Sequence, residues 1–318
     1  MEVNGTEGRR RKRLKYIAVL PTAVTLLNAL CGFVSIVLAC RGGGAGRFME
    51  MAPFHKAGFS FFAASGYFIV FAMIADILDG QVARWSGAAS GFGGQLDSLS
   101  DVISFGVAPA LLAYRFMETH LGLEGFMHKF LFPVSLLKGF SPGSRLAHLA
   151  GRWLLFLAIL YVLCAVIRLA RFNVENDTDA ASHQFFAGLP TPAAAGVVIS
   201  PVIFQESFLP LCARRLPELA ALLTDITTWL IPCAVLGSGI LMVSRFRYPH
   251  LANRLLRGKK SFFTVLLLLF AVMLALWNIQ VSLLLGFWGF AALGVFRSLW
   301  EKFRGAKTAA NPEESGGG

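Results

Sequence analysis

Asp76, Asp79, Asp97 and Asp101 fall in one short stretch, D-I-L-D-G-Q-V-A-R-W-S-G-A-A-S-G-F-G-G-Q-L-D-S-L-S-D, bounded by long apolar runs. A charge inside an apolar, membrane-length segment is costly, so it points to function. Helical spacing turns the stretch into geometry. Asp76 and Asp79 are three apart and share a face, and Ala83 continues it. Asp97 and Asp101 are four apart and again share a face. The segment 84–92 is rich in Gly, Ala and Ser and turns the chain back. Two antiparallel helices thus aim four carboxylates at one point. No lysine lies among them, and Arg84 is the nearby cation.

Clustered carboxylates cannot all stay ionised unaided. Either some hold a proton or divalent cations sit among them. Hard oxygen ligands suit Mg²⁺, Mn²⁺ or Ca²⁺. Four carboxylates around two divalent ions cancel formally, as in two-metal phosphoryl transfer. Gly80, Gly93 and Gly94, with Ala83, remove side-chain bulk beside the acids and would admit a phosphate or nucleotide. Small residues also serve close helix packing in membranes, so the glycines alone decide little. A salt bridge from Asp76 or Asp79 to Arg84 would leave Asp97 and Asp101 unexplained. A cation-coupled transporter would also use membrane acids, but no inverted repeat is visible in the sequence.

The elements that must position these acids are membrane helices. A span needs about 20 mostly apolar residues. Segments 18–40, 58–80, 93–117, 151–172, 189–211, 219–244, 261–280 and 282–300 qualify. The last two form a hairpin around Asn278 and Gln280. The expected fold is therefore an all-α polytopic bundle, a six-helix core plus a C-terminal two-helix hairpin. Four regions follow: a basic tail over 1–17, the membrane core over 18–250, the hairpin over 251–300 and a flexible tail over 301–318.

Composition agrees. The chain has 318 residues, of which 56% are hydrophobic and 15% charged. That excludes intrinsic disorder and leaves too much apolar surface for a soluble globule. The net charge of +11 would suggest nucleic acid in a soluble protein. In a membrane protein it marks cytoplasmic edges. Basic residues gather at Arg9, Arg10, Arg11, Lys12, Arg13 and Lys15, at Arg84, at Arg168 and Arg171, over 245–260, and from Arg297 onward. Eight spans with the tail inside put all of these on the cytoplasmic side, with both termini. The tail is also suited to anionic lipid head groups, and no nucleic-acid partner is needed. Cys31, Cys40, Cys164, Cys212 and Cys233 form no C-x-x-C pair and read as membrane-helix residues.

The pattern D-x2-D-G-x2-A-R-x8-G-x3-D-x3-D is matched by Asp76, Asp79, Gly80, Ala83, Arg84, Gly93, Asp97 and Asp101. It resembles the signature of the CDP-alcohol phosphotransferases, integral membrane enzymes that displace CMP from a CDP-linked substrate with an alcohol. The resemblance implies that Asp76, Asp79, Asp97 and Asp101 hold divalent metal, with Asp101 also the general base. It implies that Gly80, Ala83, Arg84 and Gly93 lie against the CMP moiety, and that the enzyme works as a homodimer. The segments L-P-T-A-V-T-L-L-N-A-L-C-G (20–32), S-F-G-V-A-P-A (104–110), R-L-A-R-F-N (168–173), F-A-G-L-P-T-P-A-A-A-G (186–196) and F-R-Y-P (246–249) are similar to the phosphatidylserine synthase branch. That branch implies transfer of a phosphatidyl group from CDP-diacylglycerol to L-serine, with release of CMP, using Mg²⁺ or Mn²⁺. Glycerol 3-phosphate and inositol phosphate are the alternative acceptors. The expected setting is the bacterial inner membrane, with the site at its cytoplasmic face.

Arg168 and Arg171 lie three residues apart on one helix face. Guanidinium forks match oxyanions, which suits serine's carboxylate or a lipid phosphate. The same residues could equally snorkel as interface anchors. Spacing leaves both readings open, and the resemblance favours binding. Gly188, Pro190 and Pro192 open the fifth span, where proline at a helix start is an ordinary structural choice.

Overall fold

The structure is a computed structural model that describes residues 3–43, 60–86, 91–120, 145–178, 185–244, 246–249, 273 and 277–310. Within these, side chains are described except at 3–21, 83–86, 145–150, 175–178, 185–187, 247–249, 299 and 301–310. Among the described residues the chain is helical apart from one short strand pair. Among these residues, seven helices are long and apolar enough to cross a membrane. We number the helices α1 (Val3–Arg41), α2 (Phe61–Ser86), α3 (Gly91–His120), α4 (Arg145–Thr178), α5 (Thr191–Ala213), α6 (Pro217–Val243) and α7 (Ile279–Ala310). The seven account for seven of the eight segments expected from hydropathy. Of the remaining one, 261–280, only residues 273 and 277–280 are described, and 121–144 lie outside the described residues.

The packing puts α5 at the centre. Its membrane stretch is 67% buried, against 11% for α7. The run Ala194–Ile203 is closed in by α2, α6 and α7. A continuous apolar core joins Ile69, Phe105, Leu112, Phe116, Tyr161 and Ile199. The outward faces carry large apolar residues, as lipid contact requires: Leu26, Leu30, Phe33 and Val37 line one side of α1. Its opposite side buries Thr25, Asn28 and Ser35. Helix α1 is thus polar toward the protein and apolar toward lipid.

Two of the described helices are interrupted. In α3, the α-helix Gly91–Asp101 passes through a π-helical segment, Val102–Val107, before resuming at Ala108–His120. In α5 the π-helical segment is Phe204–Phe208. Each lies just before a proline, Pro109 or Pro210. Proline has no N–H for the carbonyl four residues back and crowds it, so the ladder widens there. For Pro109 that carbonyl is Phe105, and the Tyr161 hydroxyl of α4 donates to it at 3.0 Å. The stray acceptor of α3 is thereby satisfied from the neighbouring helix.

The strands β1 (Phe185–Ala187) and β2 (Arg247–Pro249) pair antiparallel and tie the entry of α5 to the exit of α6. Gly188 follows β1 at φ +86°, a conformation that favours glycine. A Cβ there would stand 2.3 Å from the Met242 carbonyl oxygen. The backbone N–H groups of Gly188 and Leu189 donate to Phe246 and Leu241. Gly188 therefore serves a close backbone approach to the end of α6.

Helix α7 packs on α5 and continues as helix to Ala310, beyond the span end expected near 300. A Cβ on Gly196 of α5 would fall 2.2 Å from the Phe287 ring, so glycine makes the seat for that ring. At the start of α7, the Gln280 amide donates to the Tyr67 hydroxyl of α2 at 3.1 Å.

Candidate active site

Asp76 stands on α2, and Asp97 and Asp101 stand on α3. One carboxylate oxygen of each lies within 4.8 Å of the other two. Asp76 and Asp97 are half-buried, and Asp101 is buried. Two oxygens on one cation can be about 4 Å apart for Mg²⁺ and about 5 Å apart for Ca²⁺, given the usual bond lengths. The three carboxylates therefore fit a shared divalent ion, with hard oxygen donors of the right kind.

Asp79 is on the same face of α2 but is not part of this trio. It is buried and accepts a hydrogen bond from the Thr25 hydroxyl of α1. Its charge still lies within Coulombic range of Asp76 and Asp97. The four acids are thus neighbours, but three converge and the fourth is held by α1.

Helix α1 supplies the residues that reasoning from the acid motif missed. Thr25 reaches Asp79, and the Asn28 amide nitrogen reaches Asp101 at 3.1 Å. Ser104, in the π-helical segment of α3, donates to the backbone carbonyl of Asn28 at 2.8 Å. Gly32 lets the helices meet: a Cβ there would be 2.8 Å from the Ser104 Cα. Ser35 and Ser65 join α1 to α2 at 2.8 Å. A signal existed in the sequence, because Thr25, Asn28, Gly32 and Ser35 recur at helical spacing in an otherwise apolar span.

The glycines are placed as follows. Gly80 and Gly94 are exposed, and a Cβ on either would meet nothing within 4 Å among the described residues. Among the described residues, no neighbour requires glycine at either position. Gly93 is half-buried. Ala83 and Arg84 belong to the last turns of α2, with side chains outside the described residues.

Arg168 and Arg171 occupy the same end of the bundle as the acids. Arg168 is buried, and its Nε donates to the Leu189 carbonyl at 3.1 Å. Its guanidinium lies 5.4 Å from the Phe172 ring centroid and within Coulombic range of Asp101. A buried cation locked by a carbonyl and a ring is not a side chain extended to the interface, so the anchor reading does not describe Arg168. Arg171 is half-buried. Two residues further on, Asn173 exchanges hydrogen bonds with Ser98 at 2.9 Å and 3.2 Å. That pair links α4 to the acid-bearing turn of α3.

The site's ingredients are a carboxylate trio at the end of two antiparallel membrane helices, open space at two glycines, and a buried arginine. Comparison with known proteins meets the same region. A family model described as CDP-alcohol phosphatidyltransferase matches residues 18–238. Among similar proteins is a CDP-diacylglycerol–serine O-phosphatidyltransferase of Helicobacter pylori, 31% identical over 200 residues, which are 63% of this chain and 66% of that protein. Another, of Mycobacterium leprae, is 31% identical over 239 residues, 74% of this chain and 60% of its own length. A third, of Methanocaldococcus jannaschii, is 28% identical over 242 residues, 76% of this chain and 79% of its own. The chain thus spans less than two thirds of the first two relatives, 66% and 60% of their lengths. The family match runs from within α1 to near the end of α6, through the helices that build and enclose the acid site, and the chain is a member of the CDP-alcohol phosphatidyltransferase family.

Proposed function

We propose that this protein transfers a phosphatidyl group from CDP-diacylglycerol to L-serine, forming phosphatidylserine and CMP. The observation that carries the reading is the convergence of Asp76, Asp97 and Asp101 inside the matched family region. The similar proteins bearing that activity in their names support serine as the acceptor.

The serine hydroxyl oxygen forms a bond to the β-phosphorus, which carries the diacylglycerol. The bond from that phosphorus to the CMP oxygen breaks, and its electron pair leaves on CMP. Asp101 takes the hydroxyl proton as attack develops, because a neutral hydroxyl is a weak nucleophile. Asp76, Asp79, Asp97 and Asp101 are the residues that would hold divalent metal, Mg²⁺ or Mn²⁺, with two ions balancing four charges. Bound there, the metal would neutralise charge on the pyrophosphate and on departing CMP. Gly80, Ala83, Arg84 and Gly93 would face the CMP moiety, and the open space at Gly80 suits that role. Arg168 and Arg171 would receive serine's carboxylate or the lipid phosphate.

The site works at the membrane edge, since CDP, CMP and serine are water-soluble while the acyl chains stay in lipid. We place that edge at the cytoplasmic face of the bacterial inner membrane, with both termini on that side. By analogy with the family we take the working unit to be a homodimer, which cross-linking in native membranes would detect.

The test supplies membranes holding the protein with CDP-diacylglycerol, Mg²⁺ or Mn²⁺, and labelled serine, glycerol 3-phosphate or inositol phosphate in parallel. Labelled phosphatidylserine with equimolar CMP is the expected outcome. Product from another alcohol and none from serine would overturn the acceptor assignment.

A further inference from the structure

Asn28 is completely buried in a membrane helix, where leucine or alanine would pack at no polar cost. Its amide nitrogen donates to Asp101 Oδ1 at 3.1 Å. Its own Oδ1 has no hydrogen-bond partner among the described residues. A buried amide oxygen without a donor is expensive, and few native structures keep one without a use. An ionised carboxylate only accepts, so the amide must turn its nitrogen to Asp101 and leave the oxygen unpaired. The orphan oxygen is the cost of holding that donor in place.

The backbone of Asn28 is held as well. Ser104, three residues beyond Asp101, donates to the Asn28 carbonyl at 2.8 Å. Gly32 brings α1 against the Ser104 backbone one turn later. Asn28 is therefore gripped on both sides of Asp101, by the carboxylate itself and by the π-helical segment that follows it.

We propose that Asn28 is a positioning residue for Asp101. Its amide fixes the rotation of the carboxylate, so that the oxygen lone pairs it does not occupy stay aimed at the reacting groups. This inference rests on the acid trio being the reaction site, and it is indifferent to which alcohol is the acceptor.

Asn28→Leu keeps the number and branching of the side-chain heavy atoms and removes the donor. Asn28→Ser and Asn28→Ala form a second pair of small residues that differ by a hydroxyl donor. Supporting ligands of this kind are worth about 10–100-fold in activity or metal affinity. The expected result for Asn28→Leu is a kcat lowered by about that factor, with KM for both substrates nearly unchanged, the split that marks loss of an interaction in the transition state. Mn²⁺ binding to the purified protein without substrate, read by electron paramagnetic resonance, should weaken as well. Asn28→Ser should exceed Asn28→Ala in kcat. Wild-type kcat and wild-type Mn²⁺ affinity in Asn28→Leu would overturn the proposal. Should Asn28→Leu lose the thermal protection by CMP that marks a folded protein, the Ser and Ala pair decides, and equal kcat overturns it. The Mn²⁺ measurement needs no acceptor. A wild type that ignores serine, beside an Asn28→Leu variant that binds Mn²⁺ poorly, would refute the serine reading and uphold this one.

Discussion

At the scale of the residue, the acids are not equivalent. Asp76, Asp97 and Asp101 share one locus, while Asp79 spends acceptor capacity on Thr25. Replacing one carboxylate of the trio by an amide removes a strong oxygen ligand and a negative charge that attracts the cation. Asp76→Asn and Asp97→Asn should each lower kcat by more than about 100-fold, beyond the range seen for supporting residues. Mn²⁺ titration of the purified variants should show the matching loss of affinity. Thr25→Val leaves all four acids in place and should cost less than either. Full turnover by Asp97→Asn would remove that residue from the metal set. The four acids were legible because a carboxylate in an apolar span is conspicuous. Thr25 and Asn28 were less so, since a hydroxyl or amide in a membrane helix is tolerated at modest cost.

At the scale of the element, α3 depends on a repair made by another helix. Pro109 withholds an N–H, the ladder widens over Val102–Val107, and Tyr161 of α4 supplies a donor to Phe105. Tyr161→Phe keeps the ring and removes that donor. The expected cost is about 0.5–2 kcal/mol, the scale of a buried hydrogen bond within or outside a membrane. It would be read as a lower thermal midpoint in detergent, and an unchanged midpoint would mean the carbonyl finds another donor. The widened turn also explains a limit of the sequence reading. Spacing of three and four residues identifies faces as far as Asp101. Ser104, three further on, still keeps that face and meets Asn28, but past the π-helical segment the phase of α3 shifts. Proline hinted at an irregularity, but only packing decides how a helix absorbs one.

At the scale of the whole molecule, the acids, the entry of α5 and the strand pair gather at one end of the bundle. The opposite end is tied by His120 and Glu206, 3.1 Å apart. Helix α1 carries Arg9 through Lys15 on the turns that precede Thr25, so its basic stretch lies toward the acid end. Helix α7 starts near Tyr67, passes Gly196 and proceeds to β2, so its basic C-terminal turns head the same way. This arrangement suits cytoplasmic termini beside a cytoplasmic site. Single cysteines introduced by Gly5→Cys and Ala306→Cys in a cysteine-free background should react with an impermeant maleimide in inside-out vesicles alone. Labelling of either in right-side-out vesicles would reverse the orientation. Sequence alone determined the membrane class, the paired acid faces and the family, because burial of charge and helical periodicity are properties of a local stretch. Tertiary structure decided which three acids converge, that α1 holds the fourth, and that Arg168 is locked rather than extended. Those outcomes depend on how separate helices cross and where their ladders widen, and no spacing within one helix encodes that.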